Sequence, residues 1–178
     1  MRTISILFSI LLILACNSGN KDQKTGASTS ASISRANGPY SLDIPAGWTT
    51  DRRRFAGVDY YFLLAPKTFE DPNTTINIIT EPMQNMSLPD FMAHTIGMIK
   101  QSIPTAAILK QGAVTAQGGL KGLWYSYHME PENVKMNMTC YVFPKDGTAY
   151  IVTAGTQEKD AERYKAIFDG VAMSFKFN

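Results

Sequence analysis

The sequence is poor in the residues that most often build metal sites and disulfides. Among its 178 residues there are only two cysteines, Cys16 and Cys140, and two histidines, His94 and His128. No Cys-x-x-Cys, His-x-x-x-His or acidic calcium-loop pattern occurs. The sequence therefore predicts no metal and no other cofactor.

Net charge and long apolar runs are also scarce. The formal net charge is +2 at pH 7, whereas nucleic-acid binders usually carry a strong basic excess. Residues 38–178 hold 13 basic and 14 acidic residues, so nucleic acid is not expected as a partner. One long apolar run is present, at the N-terminus, which excludes a polytopic membrane protein.

Residues 1–15 have the pattern of a secretory signal peptide. Eleven of these 15 residues are hydrophobic, Arg2 precedes the apolar run, and the run is too short to span a bilayer comfortably. Leu12–Cys16 reads Leu-Ile-Leu-Ala-Cys and resembles the lipobox of bacterial lipoproteins. The resemblance implies cleavage before Cys16 and its modification with acyl chains such as palmitate. The alternative is an ordinary signal peptide in which Cys16 is incidental.

A lipid on Cys16 would determine where the protein resides. Two or three acyl chains make an effectively permanent membrane anchor, and Cys140 would then have no disulfide partner. Residues 16–37 contain five hydrophobic residues in 22, too few to offset the entropy of ordering, which predicts a flexible tether. Asn17 does not resemble the Asp that retains many lipoproteins at the inner membrane. We therefore expect an outer-membrane protein facing the periplasm.

Residues 38–178 are predicted to form a single globular domain. Alternating apolar residues predict strands, and Ser87-Leu-Pro-Asp90 predicts the start of a helix that cannot continue past Pro104. A second amphipathic helix is predicted over 158–171. The predicted strands begin at 40, 48, 58, 75, 107, 122, 135, 148 and 174. This order predicts an α+β fold with a mainly antiparallel sheet packed by helices.

The two ends of this domain resemble a known family. Tyr40–Trp48 reads Tyr-Ser-Leu-Asp-Ile-Pro-Ala-Gly-Trp and is similar to the start of the PsbP-like superfamily, which includes PsbP, Mog and DcrB-type proteins. Ala149–Thr153, Tyr164–Phe168 and Met173–Phe175 resemble its last strand, last helix and closing strand. The resemblance implies an α-β-α sandwich that binds or assembles rather than catalyses. It carries over no catalytic residue.

The histidines and Cys140 offer weak signals for chemistry. His128 could face Met136 and Met138 across a hairpin, and a histidine with thioethers suits a soft metal such as copper. The favoured interpretation is that the methionines are core fillers. Cys140 shares their predicted face and is expected to be a buried, inert thiol. Ser126 and His128 share one strand face, but no carboxylate in sequence is placed to orient His128, so a hydrolase is only an alternative.

Two groups of residues are candidates for binding a partner or a small ligand. Arg52, Arg53 and Arg54 form the densest charge run, which is either a solvated loop between strands or a site for an acidic partner, phosphate or lipid headgroups. Trp124, Tyr127 and Tyr141 lie on adjacent predicted strands. Some of these aromatic residues must be core, and others could form an exposed patch.

Together these observations predict a non-catalytic, lipid-anchored module of the cell envelope. It would bind an envelope protein or a small ligand through a sheet face or a cleft, in addition to the membrane that holds it. An envelope hydrolase using His128 and a copper-binding lipoprotein are the alternatives.

Overall fold

The first strand of the fold lies in a segment that we expected to be tether. The computed structural model describes residues 33–68 and 73–178, so the predicted signal peptide and Cys16 lie outside the described residues. β1 (Ile33–Asn37) pairs antiparallel with β2 (Tyr40–Ile44), from Ile33 opposite Ile44 to Asn37 opposite Tyr40. The expected boundary at residue 37 is therefore wrong by five residues. Strand pairing uses backbone N–H and C=O groups, so a segment with few apolar residues can still join a sheet.

The remaining strands are β3 (Thr49–Phe55), β4 (Val58–Leu64), β5 (Thr75–Pro82), β6 (Ala107–Thr115), β7 (Lys121–Met129), β8 (Met136–Lys145), β9 (Thr148–Gln157) and β10 (Lys176–Phe177). Seven strands form one antiparallel sheet in the order β3-β4-β5-β9-β8-β7-β6, and β1-β2-β10 form a second, smaller sheet. The two helices are α1 (Leu88–Ser102) and α2 (Ala161–Ser174). The predicted α+β fold with a mainly antiparallel sheet is confirmed.

Each helix covers a different face of the large sheet. On the face that α2 covers, here the α2 face, Phe143 and Phe175 stack with ring centroids 5.0 Å apart, and Tyr40 from β2 stacks on Phe175 at the same distance. On the opposite face, here the α1 face, Tyr125 and Ile99 are fully buried in a second core cluster. Burial on both faces explains why consecutive residues are buried in these strands, Cys140–Phe143 in β8 and Ile151–Val152 in β9.

The start of α1 follows the prediction from Ser87-Leu-Pro-Asp90. Ser87 caps the helix: its hydroxyl oxygen accepts a hydrogen bond from the Asp90 backbone N–H, and its O–H donates to the Asp90 carboxylate. Pro89 occupies the first turn, where its missing N–H costs nothing. The helix ends at Ser102, two residues before Pro104. Local sequence therefore determines both ends of α1.

The turn before β3 positions Trp48 against the second helix. The Trp48 N–H donates to the Pro45 carbonyl over 3.1 Å, and Gly47 has a φ of +77° that a side chain would disfavour. Trp48 then packs edge-on against Tyr164 of α2, with ring centroids 6.2 Å apart. This contact packs the turn between β2 and β3 against α2.

Candidate functional site

The α2 face is only partly covered by its helix. α2 makes most of its sheet contacts with β2 and β9, and it meets β8 through the hydrogen bond between Asp169 and Tyr141. A cavity of about 540 Å³ lies between the β6–β7–β8 half of the sheet and α2. We call it the α2 cleft. The strands that line it are β6, β7, β8 and the end of β9.

Two aromatic residues form the floor of the α2 cleft. Trp124 of β7 lies directly opposite Tyr141 of β8, so both side chains are on the α2 face. The Trp124 indole rests on Gly112 of β6, where an added Cβ would approach the indole nitrogen to 3.0 Å. Glycine at this position therefore lets the large ring lie flat across the neighbouring strand.

Asp169 of α2 joins the helix to this floor. Its carboxylate accepts a hydrogen bond from the Tyr141 hydroxyl over 2.6 Å and another from the Lys165 ammonium over 2.6 Å. Burial raises the pKa of Tyr141 far above its usual value, and the hydrogen bond to Asp169 raises it further. Tyr141 is thus a neutral donor at physiological pH, and Asp169 is held as a fixed carboxylate at the wall of the cleft.

Toward one end the floor becomes polar. Ser126 lies opposite Thr139, and Asn137 lies opposite Thr156 on the next strand, with all four side chains lining the cleft. Thr156 is buried, and its hydroxyl is 2.7 Å from that of Thr74. Hydroxyl and amide groups beside an indole are suited to a ligand with both apolar and hydrogen-bonding parts.

Exposed apolar side chains mark the rim. In the described part of the chain three large hydrophobic residues are exposed, and two of them, Leu109 at 46% and Met173 at 48%, line this cleft. The β6–β7 register shifts between Ile108 and Lys110, which leaves Leu109 as the irregular residue of the edge strand. Apolar residues gathered around a concavity are typical of binding surfaces.

The structure divides the predicted aromatic patch between two faces. Trp124 and Tyr141 line the α2 cleft. Tyr127 is only 2% exposed and stacks on Tyr125 on the α1 face. The prediction of Tyr127 as a surface binding residue is therefore wrong, because side chains alternate along β7 and odd-numbered positions point toward α1.

The arginine run lies in a strand and not in a loop. Arg52, Arg53 and Arg54 belong to β3, an edge strand of the large sheet, at the opposite edge from the α2 cleft. Arg53 forms an ion pair with Asp51 over 2.7 Å, and Arg54 approaches Asp59 at 3.8 Å. The expectation of one continuous arginine loop is corrected: alternation places Arg53 on one face and its two neighbours on the other.

The predicted soft-metal arrangement is excluded by strand register. His128 lies opposite Asn137 and so shares the α2 face, whereas Met136 and Met138 lie opposite Met129 and Tyr127 on the α1 face. The copper-binding alternative at these residues is therefore wrong. In residues 33–68 and 73–178, no three His, Cys, Asp or Glu side chains group closely enough to hold a metal ion.

His128 does have a carboxylate neighbour that sequence analysis missed. Glu158, just after β9, places Oε1 3.5 Å from His128 Nδ1. The antiparallel register brings them together, since Glu158 N–H donates to the Lys135 carbonyl beside the start of β8. Ser126 shares their face, and no hydrogen bond joins its hydroxyl to the imidazole in the structure described. The geometry needed for a nucleophile and its base is not formed.

Cys140 is a buried thiol, as predicted. It is 3% exposed on the α1 face and lies 3.5 Å from the Thr153 hydroxyl. Burial raises the pKa of the Cys140 thiol, which suppresses the reactive thiolate. Cys140 therefore belongs to the core and not to a reactive site.

Within the described ranges, neither helix is long and apolar enough to cross a membrane. This finding concerns the domain from Ile33 onward and not the predicted signal segment.

Comparisons with known proteins agree with the fold. CyanoP of the cyanobacterium Synechocystis is similar over 88% of this chain and 98% of its own, with a TM-score of 0.63 and 16% identity. LpqN of Mycobacterium tuberculosis, described as involved in cell envelope biogenesis, matches over 83% and 90% with a TM-score of 0.60 and 12% identity.

The Ran-binding protein Mog1p of Saccharomyces cerevisiae matches over 82% of this chain and 94% of its own, with a TM-score of 0.57 and 9% identity. No curated protein matches this sequence significantly. The PsbP family model matches residues 31–177, which includes β1 and all later elements. The chain therefore belongs to the PsbP family.

Proposed function

We propose that this protein is a non-catalytic binding module of the bacterial cell envelope, anchored by lipid on Cys16, with the α2 cleft as its binding site. The observation that carries the proposal is the cleft itself: a cavity of about 540 Å³ with Trp124 and Tyr141 on its floor and two exposed apolar residues at its rim. Solved proteins with a similar fold include one involved in cell envelope biogenesis and a Ran-binding protein, which supports a binding role.

The cleft favours an amphipathic ligand or peptide. Its apolar part would cover the Trp124 ring between Leu109 and Met173, and its polar part would reach Ser126 and Asn137. Fully burying a Leu or Met side chain contributes about 1.5–3 kcal/mol. Leu109 and Met173 are each about half exposed, so covering both contributes roughly 1.5–3 kcal/mol in total.

The proposal gives His128 no catalytic role. The imidazole is near Glu158, but Ser126 is buried, at 9% exposure, and its hydroxyl has no hydrogen bond to the imidazole in the structure described. A broad activity screen of the protein is therefore expected to give the same result for wild type and for His128→Ala. An activity that disappears in His128→Ala would contradict a non-catalytic role.

The anchor is tested by the mass of the N-terminal peptide. The intact protein is expected to fractionate with the outer membrane. After isolation and digestion, its N-terminal peptide is expected to begin at Cys16 and to carry acyl chains. Cys16→Ser is expected to release the protein from the membrane fraction. An unmodified peptide that begins elsewhere would contradict lipid anchoring.

The cleft is tested with rim variants and a matched control. Leu109→Asp and Met173→Asp place a charge at each side of the cleft, and Ala93→Asp places one on exposed α1, on the other face of the sheet. Native mass spectrometry follows binding of species from an envelope extract. Ligand bound by wild type and Ala93→Asp, and lost from both rim variants, is expected; equal binding by all four proteins would contradict the assignment.

A further inference from the structure

The third exposed large hydrophobic side chain of the described residues lies far from the α2 cleft. Phe55, 40% exposed, ends β3 at the tip of the β3–β4 hairpin. The tip turn is Ala56-Gly57, both with positive φ, a two-residue turn that keeps the hairpin tight. Val58 lies opposite Phe55 and packs partly against the core, so the tip presents three uncharged residues, Phe55, Ala56 and Gly57, to solvent.

Arginines surround this apolar tip. Arg54 adjoins Phe55, its guanidinium donates to the Gly57 carbonyl, and its contact with Asp59 spans 3.8 Å between two side chains that are each more than 70% exposed. Exposed ion pairs of this kind contribute little, so an anionic group can replace Asp59. Arg52 lies over the ring of Tyr61, 5.5 Å from its centroid.

The arginines line a basin beside the tip. A cavity of about 530 Å³ is bounded by Arg52, Arg53 and Arg54, by Tyr60 and Tyr61, and by the turn between β1 and β2. This hairpin combines an apolar tip with neighbouring arginines and tyrosines. The same combination is found at membrane interfaces, where aromatic rings enter the headgroup layer and guanidinium groups bind phosphates.

We propose that the β3–β4 hairpin tip docks on the anionic lipid surface of the membrane that holds Cys16, with Phe55 in the interface and Arg52 and Arg54 on lipid phosphates. This inference rests on the proposed anchor. Asp51 and Asp59 reduce the net charge of the hairpin, so docking is weak on its own. An anchor makes it intramolecular, and weak contacts then suffice to orient the domain.

The length of chain before the fold permits this docking. Cys16 and Ile33 are separated by 16 residues, which reach at most roughly 60 Å when extended. β1 runs from Ile33 to the turn beside the arginine basin, a distance of about 17 Å. The tip can therefore reach the bilayer while the α2 cleft, at the opposite sheet edge, remains open to the solvent.

The test uses the mature chain from Cys16, coupled through that thiol to a maleimide lipid in vesicles. Cys140 is buried and does not compete. Coupling places the domain on a bilayer whether or not a cell acylates Cys16. A failure of docking is thus distinguished from a failure of the proposed anchor, which the mass of the N-terminal peptide reports.

Phe55→Trp reports docking through quenching by brominated lipids, after subtraction of the wild-type signal of Trp48 and Trp124. Leu109→Trp is the matched control, a similarly exposed apolar site on β6 at the other edge of the sheet. Quenching of the Phe55→Trp protein is expected in vesicles containing phosphatidylglycerol, and in neither variant on phosphatidylcholine alone.

Charge variants test the role of the arginines. On the Phe55→Trp background, Arg54→Ala is expected to lower the docking equilibrium about fivefold, whereas Lys110→Ala on β6 leaves it unchanged. Absence of quenching on phosphatidylglycerol, equal quenching on phosphatidylcholine, or equal quenching of Leu109→Trp would each overturn the proposal. Docking abolished by inorganic phosphate at constant ionic strength would assign the basin to a free anion instead.

Discussion

Tyr141→Phe removes one hydroxyl and with it the contact between the cleft floor and α2. The Tyr141 hydroxyl donates to Asp169 over 2.6 Å, and Tyr141 is 3% exposed. Hydrogen bonds to charged groups contribute about 1.5–3 kcal/mol. The Asp169 side chain is 32% exposed and keeps Lys165 as a partner, so water and Lys165 offset part of the loss. We expect a decrease of about 1.5 kcal/mol in the free energy of unfolding.

The same carboxylate provides an internal comparison. Lys165 also donates to Asp169 over 2.6 Å, but its side chain is 66% exposed, and exposed i,i+4 pairs on helices contribute only about 0.3–0.5 kcal/mol. Lys165→Met should therefore cost much less than Tyr141→Phe, although the two hydrogen bonds have equal length. The difference isolates the effect of burial on a hydrogen bond.

Denaturant unfolding of a double-mutant cycle measures this effect. The cycle combines Tyr141→Phe with Asp169→Asn, and the coupling energy between the two sites is expected to exceed about 1 kcal/mol. A domain of this size should lose roughly 3–6 °C in Tm for Tyr141→Phe. A coupling energy near zero, or equal losses for Tyr141→Phe and Lys165→Met, would refute the reasoning.

Three further predictions concern packing and burial. At Gly122 an added Cβ would lie 2.5 Å from a backbone oxygen and 2.7 Å from the Phe143 ring, so Gly122→Ala should lower the free energy of unfolding by about 1–3 kcal/mol. Gly170 in α2 has nothing within 4 Å of an added Cβ, so Gly170→Ala should raise the free energy of unfolding by about 0.4–1 kcal/mol. The opposite order of the two variants in denaturant unfolding would contradict the packing. Burial raises the pKa of Glu81 above 4.5, so the folded state binds its proton more tightly than the unfolded state, and stability falls as the pH rises through the folded pKa. Glu81→Gln should therefore be more stable than wild type at pH 7, with the difference disappearing below pH 4.5; a constant difference across this range would contradict it. Cys140 should react with thiol reagents only after unfolding, because it is buried in the native protein; rapid labelling of the native protein would contradict that burial.

The elements that depend on local sequence were predictable. α1 combines a Ser87 cap, Pro89 in the first turn and a stop before Pro104, and each signal acts within one or two helical turns. The strands of the β7–β8–β9 meander follow from alternation and short turns. β1 was not predictable, because its pairing with β2 uses backbone groups that no side-chain pattern reveals.

The candidate site was only half predictable, because it depends on which residues share a face. Trp124 and Tyr141 are placed together by the β7–β8 register, whereas Tyr127 points to the other face by parity alone. Because side chains alternate along a strand, the sequence alone was enough to place Trp124 and Tyr127 on opposite faces of β7. The approach of Glu158 to His128 depends on the register of three strands. The contact of Asp169 with Tyr141 depends on where α2 packs on the sheet. A local sequence pattern predicts neither.

The most direct test of the account is a titration that follows the two tryptophan indole N–H signals by nuclear magnetic resonance. Trp124 lies in the α2 cleft, and Trp48 packs against Tyr164 outside it. With fractions of an envelope extract as titrant, the account predicts that the Trp124 signal shifts in a saturable manner while the Trp48 signal stays in place. A bound ligand that shifts only Trp48, or that shifts neither signal, would contradict the assignment of the α2 cleft as the binding site.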